Sequence, residues 1–325
     1  RDLHLSIRRQ RQMCIRDRNM GDKNFIAGIG CTNVDILYSG IDRLPNEGEE
    51  IYAKHFSLQL GGGVPATLIN LGRLGIKTKI ATELGDDIFS NYARQEFEKC
   101  GVSPINLYKG DDDIPLNVTS AMITSSDRTF MSYGHGSVEA TPDALDAAYK
   151  MCTGAKIVIM HTGGFLPVYK KLKSEGTMLV FDCGWDDNLS LENYKEHLEL
   201  ADYYTPNQKE ALKITDTDTP EKAADVLSNY FEKVIVKLDK DGCLGMENGK
   251  KFYVSQVDDF KHVDSTGAGD AFLAGFIYGL YHEKSFEDSI KFGNITGGKC
   301  VTSVGCLSSS CTEQELLEVK ENYYK

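Results

Sequence analysis

The chain has 325 residues, 41% of them hydrophobic and 26% charged, with a formal net charge of −12. This is enough apolar side chain for a large core, and no run of about 18 apolar residues offers a membrane span. So acidic a chain, lacking a basic tract, makes a poor nucleic-acid or anionic-membrane binder, although backbone N–H groups can still build a local anion site.

Residues 1–19 stand apart from the rest, with six Arg and two Asp for a net +4. They hold neither an apolar h-region nor a small-residue cleavage site, so they do not read as a secretory signal. The segment is read as a leader foreign to the fold, with Met20 as the natural start. From there, short apolar runs alternate with amphipathic stretches. NFIAGIG (24–30) reads as a buried strand. VPATLINLGRLG (64–75) reads as a helix with Leu68, Leu71 and Leu74 on one face, closed by Gly75. KTKIATELG (77–85) is the next strand and IFSNYARQEFEKCG (88–101) the next helix. AKIVIMHTGG (155–164), TMLVFDCG (177–184), DYYTPN (202–207) and KVIVKLD (233–239) read as strands, each beside a helical stretch. This alternation predicts an α/β fold with a mainly parallel sheet covered on both faces.

Two segments break the rhythm. Residues 34–60 and 113–134 carry strand-like alternation with no helix between the strands, and 118–133 reads as a hairpin turning at Ser125-Ser126-Asp127. They predict a small separate β-sheet, a lid over the site, within one domain spanning 20–325. Phe130 and Tyr133, at strand spacing, read as core, although stacking on a nucleobase is an alternative. The nine cysteines are odd in number and have no CxxC pair, and the spacing of Cys300, Cys306 and Cys311 does not match a zinc site. They read as free thiols of a reducing cytoplasm.

The strongest chemical signal is HVDSTGAGDAFLAGFIYGL (262–280). Gly267-Ala268-Gly269 precedes an apolar helix whose first N–H groups lack internal partners, and those donors together with the helix dipole suit a phosphate. Asp270 lies in the same first turn. An anion hole beside a carboxylate base is what phosphoryl transfer to an alcohol needs.

Asp264-Ser265-Thr266-Gly267-Ala268-Gly269-Asp270 resembles the DxTGAGD signature of the ribokinase-like, or phosphofructokinase B-type, carbohydrate kinases. Further segments resemble that family's motifs in order: Asn33-Val34-Asp35 its NxD, Gly62-Gly63-Val64-Pro65-Ala66-Thr67 its GGxPAN, Leu84-Gly85-Asp86-Asp87 its GxD turn and Asn207-Gln208-Lys209-Glu210 its NxxE. The resemblance implies a three-layer α/β/α ribokinase-like core with a small β lid. It also implies transfer of the ATP γ-phosphate to a sugar or nucleoside hydroxyl. By position, Asp270 is the base and the 267–269 amides are the anion hole. Asn207 and Glu210, which also spell a capping box, organise Mg²⁺ and the phosphates. Asn33, Asp35, Gly61, Gly62, Gly63 and Thr67 line the acceptor pocket, joined by His161 at a strand end and Arg128 near the hairpin turn. Lys237, Gly242 and Asn294 lie along the nucleotide. Asp264, Thr266, Cys300, Ser303, Gly305 and Ser309 match a monovalent cation site, for which K⁺ is the expected ion.

Departures from the pattern narrow the expectation. Thr67 stands in place of a frequent Asn, Val64 in place of the lysine of ribokinases proper, and Asp239 in place of a frequent Gly. The expected activity is therefore that of an ATP-dependent sugar kinase. A nucleoside kinase and a catalytically inactive sugar sensor are the alternatives. A dinucleotide fingerprint fails because position 33 is Asn, and no GxxxxGK[ST] is present. The open edge of a lid sheet suggests pairing with a second copy as a homodimer.

Overall fold

In a computed structural model, the described residues are 24–110, 114–134 and 136–324. The leader expected at 1–19, and position 113 of the expected lid segment, lie outside them. Six strands form a wholly parallel sheet: β1 (Ile26–Ile29), β4 (Thr78–Thr82), β5 (Val102–Asn106), β8 (Ile157–Met160), β9 (Met178–Phe181) and β10 (Tyr203–Tyr204). Their order is β10-β9-β8-β1-β4-β5. The chain leaves β1 first toward β4 and β5, then returns on its other side to β8. The carboxyl ends of β1 and β8 thus flank a topological switch point, where open α/β sheets place their ligands.

Three antiparallel strands continue this sheet: β11 (Lys233–Lys237), β12 (Cys243–Glu247) and β13 (Lys250–Val254). Lys237 N–H donates to Pro206 O at 2.9 Å just beyond β10 and ties the two together. The β12–β13 hairpin and β5 were not expected from the alternation of runs. The helices are α1 (Gly63–Arg73), α2 (Ile88–Lys99), α3 (Pro142–Cys152), α4 (Leu166–Ser174), α5 (Lys195–Leu200), α6 (Gln208–Thr215), α7 (Pro220–Leu227), α8 (Ala268–Tyr281), α9 (Phe286–Cys300) and α10 (Glu313–Tyr323).

Alternate residues of each central strand feed two separate cores. Ile157 and Ile159 join α1, α8 and α9 on one side, while Val158 and Met160 join α3, α4, α6 and α7 on the other. This is why the strands read as unbroken apolar runs, since both faces are covered. Helix α1 is buried along most of its length, from Val64 to Leu71, beyond the single face that its leucines suggested. It lies between the sheet and α8, and Val64 packs where a side chain on Gly28 or Gly30 would stand.

The lid is a second, mixed sheet in the order β3-β2-β6-β7: β2 (Asn33–Ser39), β3 (His55–Gly61), β6 (Asn117–Ile123) and β7 (Arg128–Tyr133). Strand β2 pairs parallel with β6, and the outer pairs are antiparallel. The turn of the β6–β7 hairpin is closed by Thr124 N–H and its hydroxyl, both donating to Asp127 O at 2.9 Å. Phe130 and Tyr133 are not core as expected: each is about half exposed, because β7 is the edge strand of a sheet that projects from the body.

Candidate active site

Two helix N-termini meet at the carboxyl end of the sheet. Helix α8 begins after Gly267, which has φ +77° and no side-chain cap. Only glycine suits this position: it needs left-handed backbone, and a β-carbon would collide with Cys306. Helix α1 begins after Gly62, at φ +87° and likewise uncapped. The Thr67 hydroxyl joins the two helices, donating to Gly63 O at 2.9 Å and Asp270 O at 3.3 Å. Thr67 is fully buried and spent on backbone, so it holds the helices together rather than meeting a substrate. The first turns of both helices present free donors toward one point.

Asp270 lies at that point. A β-carbon on Gly63 would stand 3.4 Å from Asp270 Oδ1, and one on Gly61 would collide with the Asp35 carboxylate. The 61–63 glycines therefore floor the gap between two carboxylates. Asp35 accepts from Asn33 Nδ2, and Asn33 exchanges hydrogen bonds with Thr119 at 3.2 and 3.3 Å. Thr119 in turn pairs with Ser132 at 2.9 Å, so a polar row crosses the lid. Thr119 and Ser132 escaped the sequence reading, though their place in the strand alternation is a signal that marks one face. Burial pushes Asp35 up to about 6. Burial also raises Asp270 well above the carboxylate range; Asp182 and Glu210 add to this while Lys237 opposes it.

Lys237 ends β11 and reaches the first turn of α8. Its ammonium stands 3.4 Å from Asp182 Oδ2, and 3.4 Å from where a β-carbon on Gly269 would be. Burial pulls Lys237 down, but the charges of Asp182, Glu210 and Asp270 outweigh it and hold the group above the usual lysine value. Asp182, at the end of β9, also accepts from the Thr205 hydroxyl at 3.0 Å. It was missed in the sequence because an Asp after an apolar run has no local mark. Asn207 and Glu210 form the capping box of α6, with Asn207 N–H donating to Glu210 Oε2 at 2.8 Å and Glu210 N–H to Asn207 Oδ1 at 3.0 Å. Burial raises Glu210, with Lys237 lowering it in part. Asp182, Glu210 and Asp270 act on one ammonium, and carboxylate oxygens are the hard donors that Mg²⁺ takes, mostly through its own waters; among the described residues no three His, Cys, Asp or Glu side chains are grouped to hold a metal ion directly.

Other expected residues have different surroundings. Gly242 closes the turn after Lys237 at φ +87°, and Asp239 before it holds left-handed backbone at φ +52°. Asn294 is buried, and its amide donates to Val254 O at 3.0 Å and Ser255 O at 3.1 Å, so its donors are spent on shaping the 254–255 chain. His161 follows β8, with its Nδ1 3.3 Å from the Thr162 hydroxyl; no hydrogen bond links it to Asp35 or Asp270. Arg128 shares the lid face of Asp35, and its guanidinium is bonded to Asp264 at 2.6 Å and to the Thr266 hydroxyl.

Of the residues expected at a monovalent-cation site, Asp264, Thr266, Cys300 and Gly305 are joined by hydrogen bonds. Gly305 N–H donates to Asp264 Oδ2 at 2.9 Å, and the carbonyls of Thr266 and Cys306 share the Cys300 thiol at 3.5 Å. Ser309 pairs with the Thr302 hydroxyl at 3.0 Å. Ser303 Oγ is buried without a partner among the described residues.

Comparison with known proteins identifies the family and the fold. Residues 23–313 match the pfkB family carbohydrate kinases. The chain belongs to this family. It is 26% identical over 329 residues to a 5-dehydro-2-deoxygluconokinase of Clostridium botulinum, covering 92% of this chain and 94% of the relative. It is 27% identical to a ribokinase of Arabidopsis thaliana, over 90% of this chain and 79% of the relative. The solved structure of Arabidopsis ribokinase complexed with ribose and ATP superposes with a TM-score of 0.75 at 25% identity, over 91% of this chain and 98% of that one. This member of the pfkB family is a carbohydrate kinase with the ribokinase-like fold. No helix among the described residues is long and apolar enough to cross a membrane.

Proposed function

We propose that this kinase transfers the γ-phosphate of ATP to a hydroxyl of an uncharged sugar, with Asp270 as general base. The observation that carries this reading is the convergence of two uncapped helix N-termini on one carboxylate, with the Lys237 ammonium beside them. The acceptor hydroxyl sits over Gly61–Gly63, oriented by Asp35 and Asn33. Asp270 takes its proton as the oxygen bonds to the γ-phosphorus and the bond to the ADP oxygen breaks. The N–H groups of 267–269 and Lys237 stabilise the charge on the transferring group. Burial raises the proton affinity of Asp270, which strengthens it as a base once it is ionised. Asp182 and Glu210, mostly through water, would hold Mg²⁺, which would neutralise phosphate charge. K⁺ would lie between the 264–266 and 300–309 segments.

The acceptor pocket favours a neutral polyol. Asp35 repels an anion, and Arg128, the basic residue nearest the lid tip, is spent on Asp264. An acceptor bearing a carboxylate, of the gluconate kind named for one relative, would need a free cation there. A nucleoside acceptor is the second reading. It is favoured by half-exposed Phe130, which the strand alternation puts on the same lid face as Arg128 and Ser132.

The test is ADP release with Mg-ATP and K⁺ across ribose, fructose, other ketoses and aldoses, sugar phosphates, sugar acids, adenosine, inosine and cytidine. Wild type and Asp270→Asn are run in parallel. A signal with one neutral sugar class, lowered roughly 10²–10⁴-fold in the variant, is expected. Turnover retained in Asp270→Asn removes the base. Binding of a sugar without turnover makes the protein a sensor.

A further inference from the structure

Arg128 opens β7 at the tip of the lid, yet its side chain belongs to a contact on the body of the molecule. Its Nη1 donates to Asp264 Oδ1 at 2.6 Å and to the Thr266 hydroxyl, partners more than 130 residues away in sequence. Those two residues lead directly into Gly267 and the first turn of α8. The base of the same lid is tied to the neighbouring loop. Gln59 on β3 accepts from Leu307 N–H at 3.2 Å and donates to Val304 O at 3.3 Å.

Asp264 is the node between these attachments. Its Oδ2 accepts from Gly305 N–H at 2.9 Å, in the loop held by Gln59. Its Oδ1 accepts from Thr266 N–H at 3.0 Å and the Thr266 hydroxyl at 2.8 Å, as well as from Arg128. Cys306 of the same loop fills the space beside Gly267. The backbone of 264–267 is thus gripped from the lid base through the 304–308 loop and from the lid tip through Arg128. Only the second grip depends on where the lid tip lies. The Arg128–Asp264 pair is partly exposed, with side-chain accessibilities of 37% and 14%. Such a pair contributes little to global stability and can open and re-form.

We infer that Arg128 is a positioning residue: when the lid closes over the acceptor, its guanidinium reaches Asp264 and Thr266 and fixes the 264–269 backbone in the geometry that transfer needs. The inference rests on the kinase reading and deepens it. Acceptor binding is coupled to completion of the anion hole, a form of induced fit that disfavours loss of phosphate to water before the acceptor is seated. Arg128 touches neither substrate; it acts through the segment that carries the hole.

The experiment compares wild type, Arg128→Ala and Arg128→Lys at saturating Mg-ATP with the acceptor the wild type uses. Backbone hydrogen exchange is followed over 262–270 and 303–307. For Arg128→Ala we expect kcat to fall about 10²-fold, the scale of a small misplacement of reacting groups, with the acceptor KM little changed. We expect faster exchange at Thr266 and Gly305 and unchanged exchange in β1. Arg128→Lys restores much of kcat, since an ammonium can still meet Asp264. An unchanged kcat overturns the inference, as does a loss confined to acceptor KM, which would make Arg128 a substrate contact. Unchanged exchange at Thr266 and Gly305 overturns it as well. If the wild type turns over no acceptor, the kinase reading fails, and the exchange comparison still decides whether Arg128 grips the loop.

Discussion

Asp35 and Asp270 are both carboxylates held at raised proton affinity, and burial is the main cause in each. A group whose folded value lies above its unfolded value favours folding while protonated. For Asp35 that contribution is complete below about pH 4 and is lost as pH rises through about 6. Ionised Asp35 therefore costs stability at neutral pH, in exchange for a charged acceptor for sugar hydroxyls. Asp35→Asn is expected to raise the melting temperature relative to wild type at pH 7.5 and to lose that advantage at pH 4, while weakening acceptor binding. Thermal unfolding at the two pH values checks this, and an equal shift at both would remove burial of the charge as the cause. The same reasoning expects Asp270→Asn to lose turnover without losing fold.

At the scale of elements, several motif residues serve the architecture first. Asp87, in the segment that resembles a GxD turn, is the N-cap of α2: its Oδ1 accepts from Phe89 N–H at 2.8 Å and Ser90 N–H at 2.9 Å. Asp87→Ala is expected to cost about 1 kcal/mol of stability, read by denaturant midpoint, with kcat nearly unchanged. A large loss of kcat without loss of stability would move Asp87 into the site. Asn207 and Glu210 serve the architecture in the same way. Their capping box fixes the start of α6, and that start lies beside Lys237 across the Asn207–Lys237 bridge. Helices α1 and α8 depart from the usual scheme, since neither start has a side-chain cap. The orphaned donors that a structural helix would satisfy internally are left for a ligand.

For the whole molecule, the lid sets the open question of assembly. Phe56, Met131 and Tyr133 are 63%, 71% and 52% exposed, and the strand alternation places all three on the face opposite Arg128 and Asp35. Exposed apolar side chains spread across one face, from edge strand β3 to edge strand β7, offer an interaction surface. A second copy of the chain, lid against lid, is the partner we propose. Light scattering across micromolar concentrations is expected to give a dimer in wild type and a monomer in Met131→Glu. A monomeric wild type would reject the pairing.

What was legible from sequence follows from the range of the forces involved. Strand runs, helix starts and the uncapped turn at Gly267 depend on chemistry within a turn or two of chain, so apolar period, glycine placement and a first-turn Asp announce them. The lid strands at 33–39, 55–61, 117–123 and 128–133 were legible for the same reason, as alternation without helices. Asp182 was not, because it acquires a role only when β9 lies near β11 and brings it opposite Lys237, 55 residues away. Asn294 was read as a nucleotide neighbour, but the packing of α9 on β13 spends its amide on two carbonyls. Arg128 was placed at the acceptor from its position in the hairpin, yet a body segment that the lid tip reaches holds its guanidinium. The sequence by itself determined the parallel sheet, the small second sheet and the glycine-led start of α8. Tertiary structure alone decided which charges face one another, because an ion pair is set by distance in space, and that distance exists only once the order of the strands is known.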